Sequence, residues 1–131
     1  MPRAINFAPL DNAITALGDS ARRYERALDA SRPRLVANPA ALRALNTKLR
    51  QAEPQLIDAA GLPRRSWYRH LLYAPGFYAG YGAKTIPGVR EGIEQGRYDE
   101  AEGEVTRVSG ALMRLVALID SASAELEGLG K

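Results

Sequence analysis

Few side chains in this chain can do chemistry. There is one histidine, His70, and no cysteine. Thiolate nucleophiles, disulfides and cysteine metal sites are therefore excluded, and a His-rich zinc centre cannot be built. Histidine is apt for proton transfer near neutral pH. His70 nevertheless has no nucleophile beside it in sequence, so it reads as a structural residue, hydrogen-bonded near Arg69. Asp99, Glu100, Glu102 and Glu104 form an acidic run. The run lacks the alternating ligands and glycine of a calcium loop. It is expected to complement the positive end of a helix. No catalytic residue and no metal ligand is assigned.

The richest segment is 64–88. It holds six of the nine aromatic residues: Trp67, Tyr68, Tyr73, Phe77, Tyr78 and Tyr81. Gly76, Gly80, Gly82 and Gly88 are interleaved with them, with Pro75 and Pro87 as rigid points. No helical or strand period survives past Tyr73, so the sequence predicts a long ordered loop. A loop of that length in a compact domain is usually functional, and its aromatic density argues against disorder. Trp67, Tyr68, Tyr73, Phe77 and Tyr78 are candidates for packing or an interface, where large aromatics serve most often.

Helices must hold that loop. Leu10, Ile14, Leu17, Ala21, Tyr24 and Leu28 repeat at intervals of four and three, which predicts an amphipathic helix from Pro9 to Ala30. Asn38-Pro39 opens a second helix, with Leu42, Leu45, Leu49, Ala52 and Leu56 as its stripe. Pro54 should kink or split it, and Gly61-Leu62-Pro63 should end it. A short helix is predicted from Pro87 to Gln95. A long one follows from Asp99 to Leu126, striped by Val105, Val108, Leu112, Leu115, Ile119, Ala122 and Leu126. The fold class is all-α: one domain over 1–131, an up-and-down bundle of about four helices with a long aromatic and glycine loop.

The chain has 131 residues and a net charge of +3. Residues 1–70 carry twelve Lys/Arg and six Asp/Glu, and residues 71–131 carry six and nine. A basic half invites a nucleic-acid reading. The arginines are interleaved with acids, however, and that pattern fits a solvated helix face. A free-standing basic bundle binding nucleic acid or another protein is the alternative function. No run approaches the roughly 20 apolar residues of a membrane span. Residues 1–8 do not read as a signal peptide, so any export signal of a longer parent lies elsewhere.

Several motifs agree in order and spacing with one family. They are Asn38-Pro39, Leu42-Arg43 and Asn46, Leu56-Ile57-Asp58, Gly61-Leu62-Pro63, Tyr68-Arg69-His70, Tyr73-Ala74-Pro75 and Pro87-Gly88. Together they resemble the C-terminal helical domain of the glutamate carboxypeptidase II (prostate-specific membrane antigen)-like family, of which the transferrin receptor carries a divergent version. The resemblance runs from about Phe7 to Leu126. It implies a transferrin receptor-like dimerisation domain, the last part of a larger protein whose protease-like domain carries two zinc ions and the catalytic glutamate. This chain would hold no cofactor itself. Its partners would be its own protease-like domain and the second subunit of a homodimer, and a parent of this kind can be an exported, periplasmic or extracellular protein. The resemblance further implies that the loop after Tyr73-Ala74-Pro75 reaches the substrate, through an adjacent lysine and tyrosine that hold a terminal glutamate. The tyrosine position is Tyr81. The lysine position is occupied by Gly80, which offers no cation for the second carboxylate of a terminal glutamate. Lys84 is the nearest substitute cation.

Overall fold

The backbone carries out the instruction in Asn38-Pro39. The Asn38 side chain accepts a hydrogen bond from the Ala41 amide at 3.1 Å. Helix α2 starts at once and runs Pro39–Leu49. In this computed structural model, which describes residues 4–64, 69–75 and 83–129, α2 is preceded by helix α1, Ala8–Val36. A 3-10 turn, Glu53–Leu56, follows it. Strands β1, Tyr73–Pro75, and β2, Ala83–Thr85, come next. Helices α3, Pro87–Glu94, and α4, Tyr98–Leu129, complete the order. The all-α bundle is the observed architecture, with one two-stranded ribbon attached.

The main interface is α1 against α4, and the two helices run in the same direction. The Asn6 amide reaches Glu102 at one end. Ser20 bonds Val116 and Asp120 midway, and Arg23 bonds Glu127 further on. Helix α2 returns the other way: Lys48 meets Glu125, and Gln55, beyond it, accepts from Arg114. The bundle is thus up, down and up, with α3 short and lateral.

Two apolar clusters hold it. The first gathers Leu10, Ala13, Leu56, Leu62, Leu71, Val89, Val105, Val108, Ala111 and Leu112, with Ile5, Leu72 and Ile86 at its margin. The second, at the other end, gathers Ala27, Leu35, Leu45, Ala122 and Leu126. A cleft of about 220 Å3 opens beside the second, between Leu35, Ala41, Leu45 and Leu129. It is below the size of ordinary ligand pockets.

Several sequence expectations need correction. Helix α1 does not stop at Ala30 but continues to Val36 through Pro33. An interior proline costs about 3 kcal/mol. Burial of Leu35 in the second cluster offsets it by about 1.5–3 kcal/mol. The inward face of α1 is also rotated from the predicted stripe. Ile14 is 52% exposed and Ala21 is exposed, while Ala13, Ser20, Ala27 and Ser31 are buried. Small residues allow α1 to lie close on α4, and the buried serines satisfy their hydroxyls internally: Ser31 donates to the Ala27 carbonyl at 2.6 Å. Leu42 on α2 is likewise exposed. The predicted split at Pro54 occurs earlier. The α-helix ends at Leu49, and Pro54 sits in the first turn of the 3-10 element, where its missing N–H costs nothing.

The largest correction concerns 64–88. Tyr73 pairs with Thr85, Ala74 with Lys84 and Pro75 with Ala83, antiparallel. A three-residue strand is too short to show a two-residue period, and its proline and alanines carry no strand preference.

Candidate functional site

The hairpin is tied to the bundle on both sides. On the incoming side, the Leu71 amide donates to the Leu56 carbonyl at 2.8 Å, and the Asp58 amide donates to the Arg69 carbonyl at 2.8 Å. These bonds lay residues 69–72 along the chain leaving the 3-10 turn. On the outgoing side, the Ile86 amide donates to the Leu72 carbonyl at 2.8 Å. Leu71 is 1% exposed and belongs to the first cluster. Pro75 and Ala83, the described residues on either side of 76–82, are paired with each other.

His70 serves this base. Its Nδ1 accepts from the Leu72 amide at 3.2 Å, which leaves the ring proton on Nε2, facing Glu53 Oε1 at 2.7 Å. The sequence reading places His70 near Arg69; its described hydrogen bonds are to Glu53 and the Leu72 amide.

Arg107 on α4 is the second tie. Its Nη2 donates to the Gly61 carbonyl at 2.6 Å and lies 3.1 Å from Asp58 Oδ2, while Nη1 donates to Glu104 Oε1 at 2.8 Å. One guanidinium thus holds the turn after the 3-10 element and a carboxylate on its own helix, the fork geometry that arginine provides. Asp58 also caps its own turn by accepting from the Ala60 amide at 2.9 Å. That bond is the largest single cause that holds its carboxyl below the ordinary aspartate range, and the hydrogen bond and charge of Arg107 add to it. Glu100 is lowered mainly by its hydrogen bond from Arg64. Glu104 moves the other way: burial raises it, and Arg107 only partly opposes the shift.

Glu104 therefore departs from its predicted role. It is not a solvated partner of the α4 dipole but a buried side chain, 5% exposed. Its sequence signal was its position three residues before Arg107, which puts both on one helix face. Gly88 was marked by Pro87-Gly88, though not as the contact of a carboxylate.

Of the residues assigned from sequence, Tyr81, Gly80, Trp67, Tyr68, Phe77 and Tyr78 lie outside the described residues. Tyr73 and Lys84 are placed by their backbone, in β1 and β2. Several of the described basic residues are engaged with acids. Arg22, Arg23, Arg32, Lys48, Arg90 and Arg107 all form ion pairs. That pairing leaves the nucleic-acid alternative without support. Among the described residues no three Asp, Glu or His side chains converge as a metal would require, so no step is assigned to a metal held by this chain. No described helix is long and apolar enough to cross a membrane.

Comparison with known proteins agrees with this architecture. A probable glutamate carboxypeptidase of Arabidopsis thaliana is 37% identical over 87 residues, covering 66% of this chain and 13% of that protein. A probable glutamate carboxypeptidase of Arthroderma benhamiae is 38% identical over 77 residues, 59% of this chain and 11% of that protein. An inactive zinc metalloprotease of Schizosaccharomyces pombe is 34% identical over 73 residues, 56% of this chain and 9% of that protein. The chain thus spans about a tenth of the length of these relatives. The sequence profile of the transferrin receptor-like dimerisation domain matches residues 5–120. The chain belongs to the transferrin receptor-like dimerisation domain family, and it is a dimerisation domain of the kind carried by glutamate carboxypeptidase-like proteins.

Proposed function

We propose that this domain joins two copies of a zinc-dependent carboxypeptidase- or aminopeptidase-like parent and closes one side of each substrate cleft with segment 76–82. The zinc and its chemistry belong to the parent's protease-like domain. The role of this chain is to dimerise and to place binding groups. The observation that carries the reading is the β1–β2 pairing, which brackets 76–82 and, through Leu71 and Ile86, fixes both its ends to the core. A binding loop on a rigid scaffold is the usual way to hold a substrate contact in place.

Within the segment, Tyr81 would donate a neutral hydrogen bond to a substrate carboxylate. Gly80 offers neither charge nor bulk, so the pocket would tolerate residues other than glutamate. Losing a charge-assisted hydrogen bond costs roughly 1.5–3 kcal/mol. In an active full-length parent, Tyr81→Phe is expected to raise KM several-fold, and Gly80→Lys to shift preference toward acidic C-terminal residues. Unchanged kinetics for Tyr81→Phe on every dipeptide tried would remove the substrate role.

The chain alone is expected to be a monomer or weak dimer. Exposed apolar side chains such as Ile14, Leu42 and Met113 are scattered over three helices, and interfaces below about 1,000 Å2 are seldom stable. Sedimentation at several concentrations checks this, and a tight dimer at nanomolar protein would show that these helices suffice.

A further inference from the structure

Gly88 lies in α3 with an ordinary helical backbone. Its being glycine is therefore a matter of space, not of conformation. A β-carbon there would stand 2.5 Å from Glu104 Oε2, 2.7 Å from its Cδ and 2.8 Å from its Cγ. The carboxylate cannot easily yield. It is buried, and its other oxygen is held by Arg107 at 2.8 Å. Oε2 itself is buried with no hydrogen-bond partner. An unpartnered buried carboxylate oxygen is costly, and one against the first turn of a helix is partly stabilised by the helix dipole. One turn on, a β-carbon at Gly92 would meet Ala101 at 3.0–3.1 Å, backbone included, so the whole glycine face of α3 rests on α4. Just ahead, Ile86 is held at φ 46° and ψ 57°. That left-handed conformation is unfavourable for a β-branched residue and persists only where the surroundings over-determine it.

We propose that Glu104 is a positioning residue: its buried carboxylate, gripped by Arg107 and set against Gly88, seats the start of α3 and so fixes where β2 leaves the bundle. Ile86 is the link, because its amide bonds Leu72 on the hairpin and its carbonyl accepts from Arg90 in α3 at 3.0 Å. Any shift of α3 on α4 is carried directly to the outgoing arm. The raised pKa of Glu104 agrees with a carboxylate kept in a dry seat. The relevance to substrate rests on the cleft reading above, whereas the contact itself does not.

A double-mutant cycle tests the seat in the full chain. Gly88→Ala is expected to lower the folding equilibrium constant about tenfold, and to change it less than about twofold in a Glu104→Ala background, where the space is free. If Gly88→Ala does not fold, the double variant is expected to restore folding. Equal losses in both backgrounds, or a double variant that also fails to fold, would overturn the proposal. Hydrogen exchange supplies the second readout. Glu104→Ala should lower protection of the Ile86 and Arg90 amides about tenfold more than that of the Leu126 amide in the far cluster. A uniform fall would mean a general loss of stability and would also overturn it. In an active parent, Glu104→Ala should raise KM with kcat nearly unchanged, as Tyr81→Phe does. A rise for Tyr81→Phe alone would refute the positioning role. Silence of Tyr81→Phe would instead remove the cleft reading, with the seat then decided by the cycle and the exchange.

Discussion

Leu71→Ala is expected to destabilise the chain by about 2–5 kcal/mol, measured by urea unfolding. Leu71 is among the largest fully buried side chains, and it packs into the first cluster with Leu56, Leu62 and Val105. Truncation removes its apolar burial and leaves a cavity. The neighbours can close that cavity only partly, because the Leu71 amide is bound to the Leu56 carbonyl and the strand cannot slide. The same residue anchors the incoming arm of the hairpin, so exchange of the Leu71 and Ile86 amides should accelerate well beyond that of α1. A loss under about 1 kcal/mol would show that segment 69–72 lies on the core without being part of it.

Arg107→Ala is expected to cost about 2–4 kcal/mol at about pH 7, because it strands a buried carboxylate and the Gly61 carbonyl together. The side chain of Arg107 is 27% exposed, which keeps the figure below that of a wholly buried pair. The deficit should depend on pH. Asp58 and Glu100 have lowered folded-state pKa values. They stabilise the native protein above their unfolded values, and that stability is lost as pH falls through the folded ones. Glu104 is raised, so its contribution is present below its unfolded value and is lost as pH rises through the folded one. Without Arg107, Glu104 is raised further and Asp58 is lowered less. The deficit should therefore shrink as pH falls from about 7 toward about 4, because protonation of Glu104 removes the charge that Arg107 balances. Chemical denaturation at the two pH values checks this, and an equal deficit would mean that the guanidinium acts only through its packing and its bond to Gly61.

Much of this was legible in the residues. Asn38-Pro39 marks the start of a helix because both residues act locally, and the 3.6-residue period located α1 and α4 for the same reason. The motif resemblance led to the family without any coordinates. What was not legible depends on partners distant in sequence. The predicted first helix ends at Ala30 because nothing near that point reveals that Leu35 is buried in one cluster with Leu45 and Leu126. Ile14 looked like core because its spacing is right, yet close packing of α1 on α4 favours Ala13 and Ser20 on the shared face. Glu104 looked like a surface acid in an acidic first turn, and only the fold sets Gly88 and the Asp58 turn around it. The proposed site was named by resemblance through Tyr81, Gly80 and Lys84; Leu71, Ile86, Arg107 and Glu104, which tie the hairpin to the bundle, are read from packing.

The common direction of α1 and α4 governs how the domain can be joined to other parts. Most domains bring their two ends near one another. Here the start of α1 lies beside the first cluster and the hairpin, while α4 runs 32 residues to the opposite pole, placing the ends on the order of 40 Å apart at 1.5 Å per residue. Such a unit fits poorly as an insert in another protein's loop and well as a terminal appendage or a spacer. Any polypeptide joined ahead of α1 is tethered at the hairpin pole. A short tether holds its neighbours at an effective concentration in the millimolar range, so docking of the hairpin onto a preceding domain would need little affinity of its own.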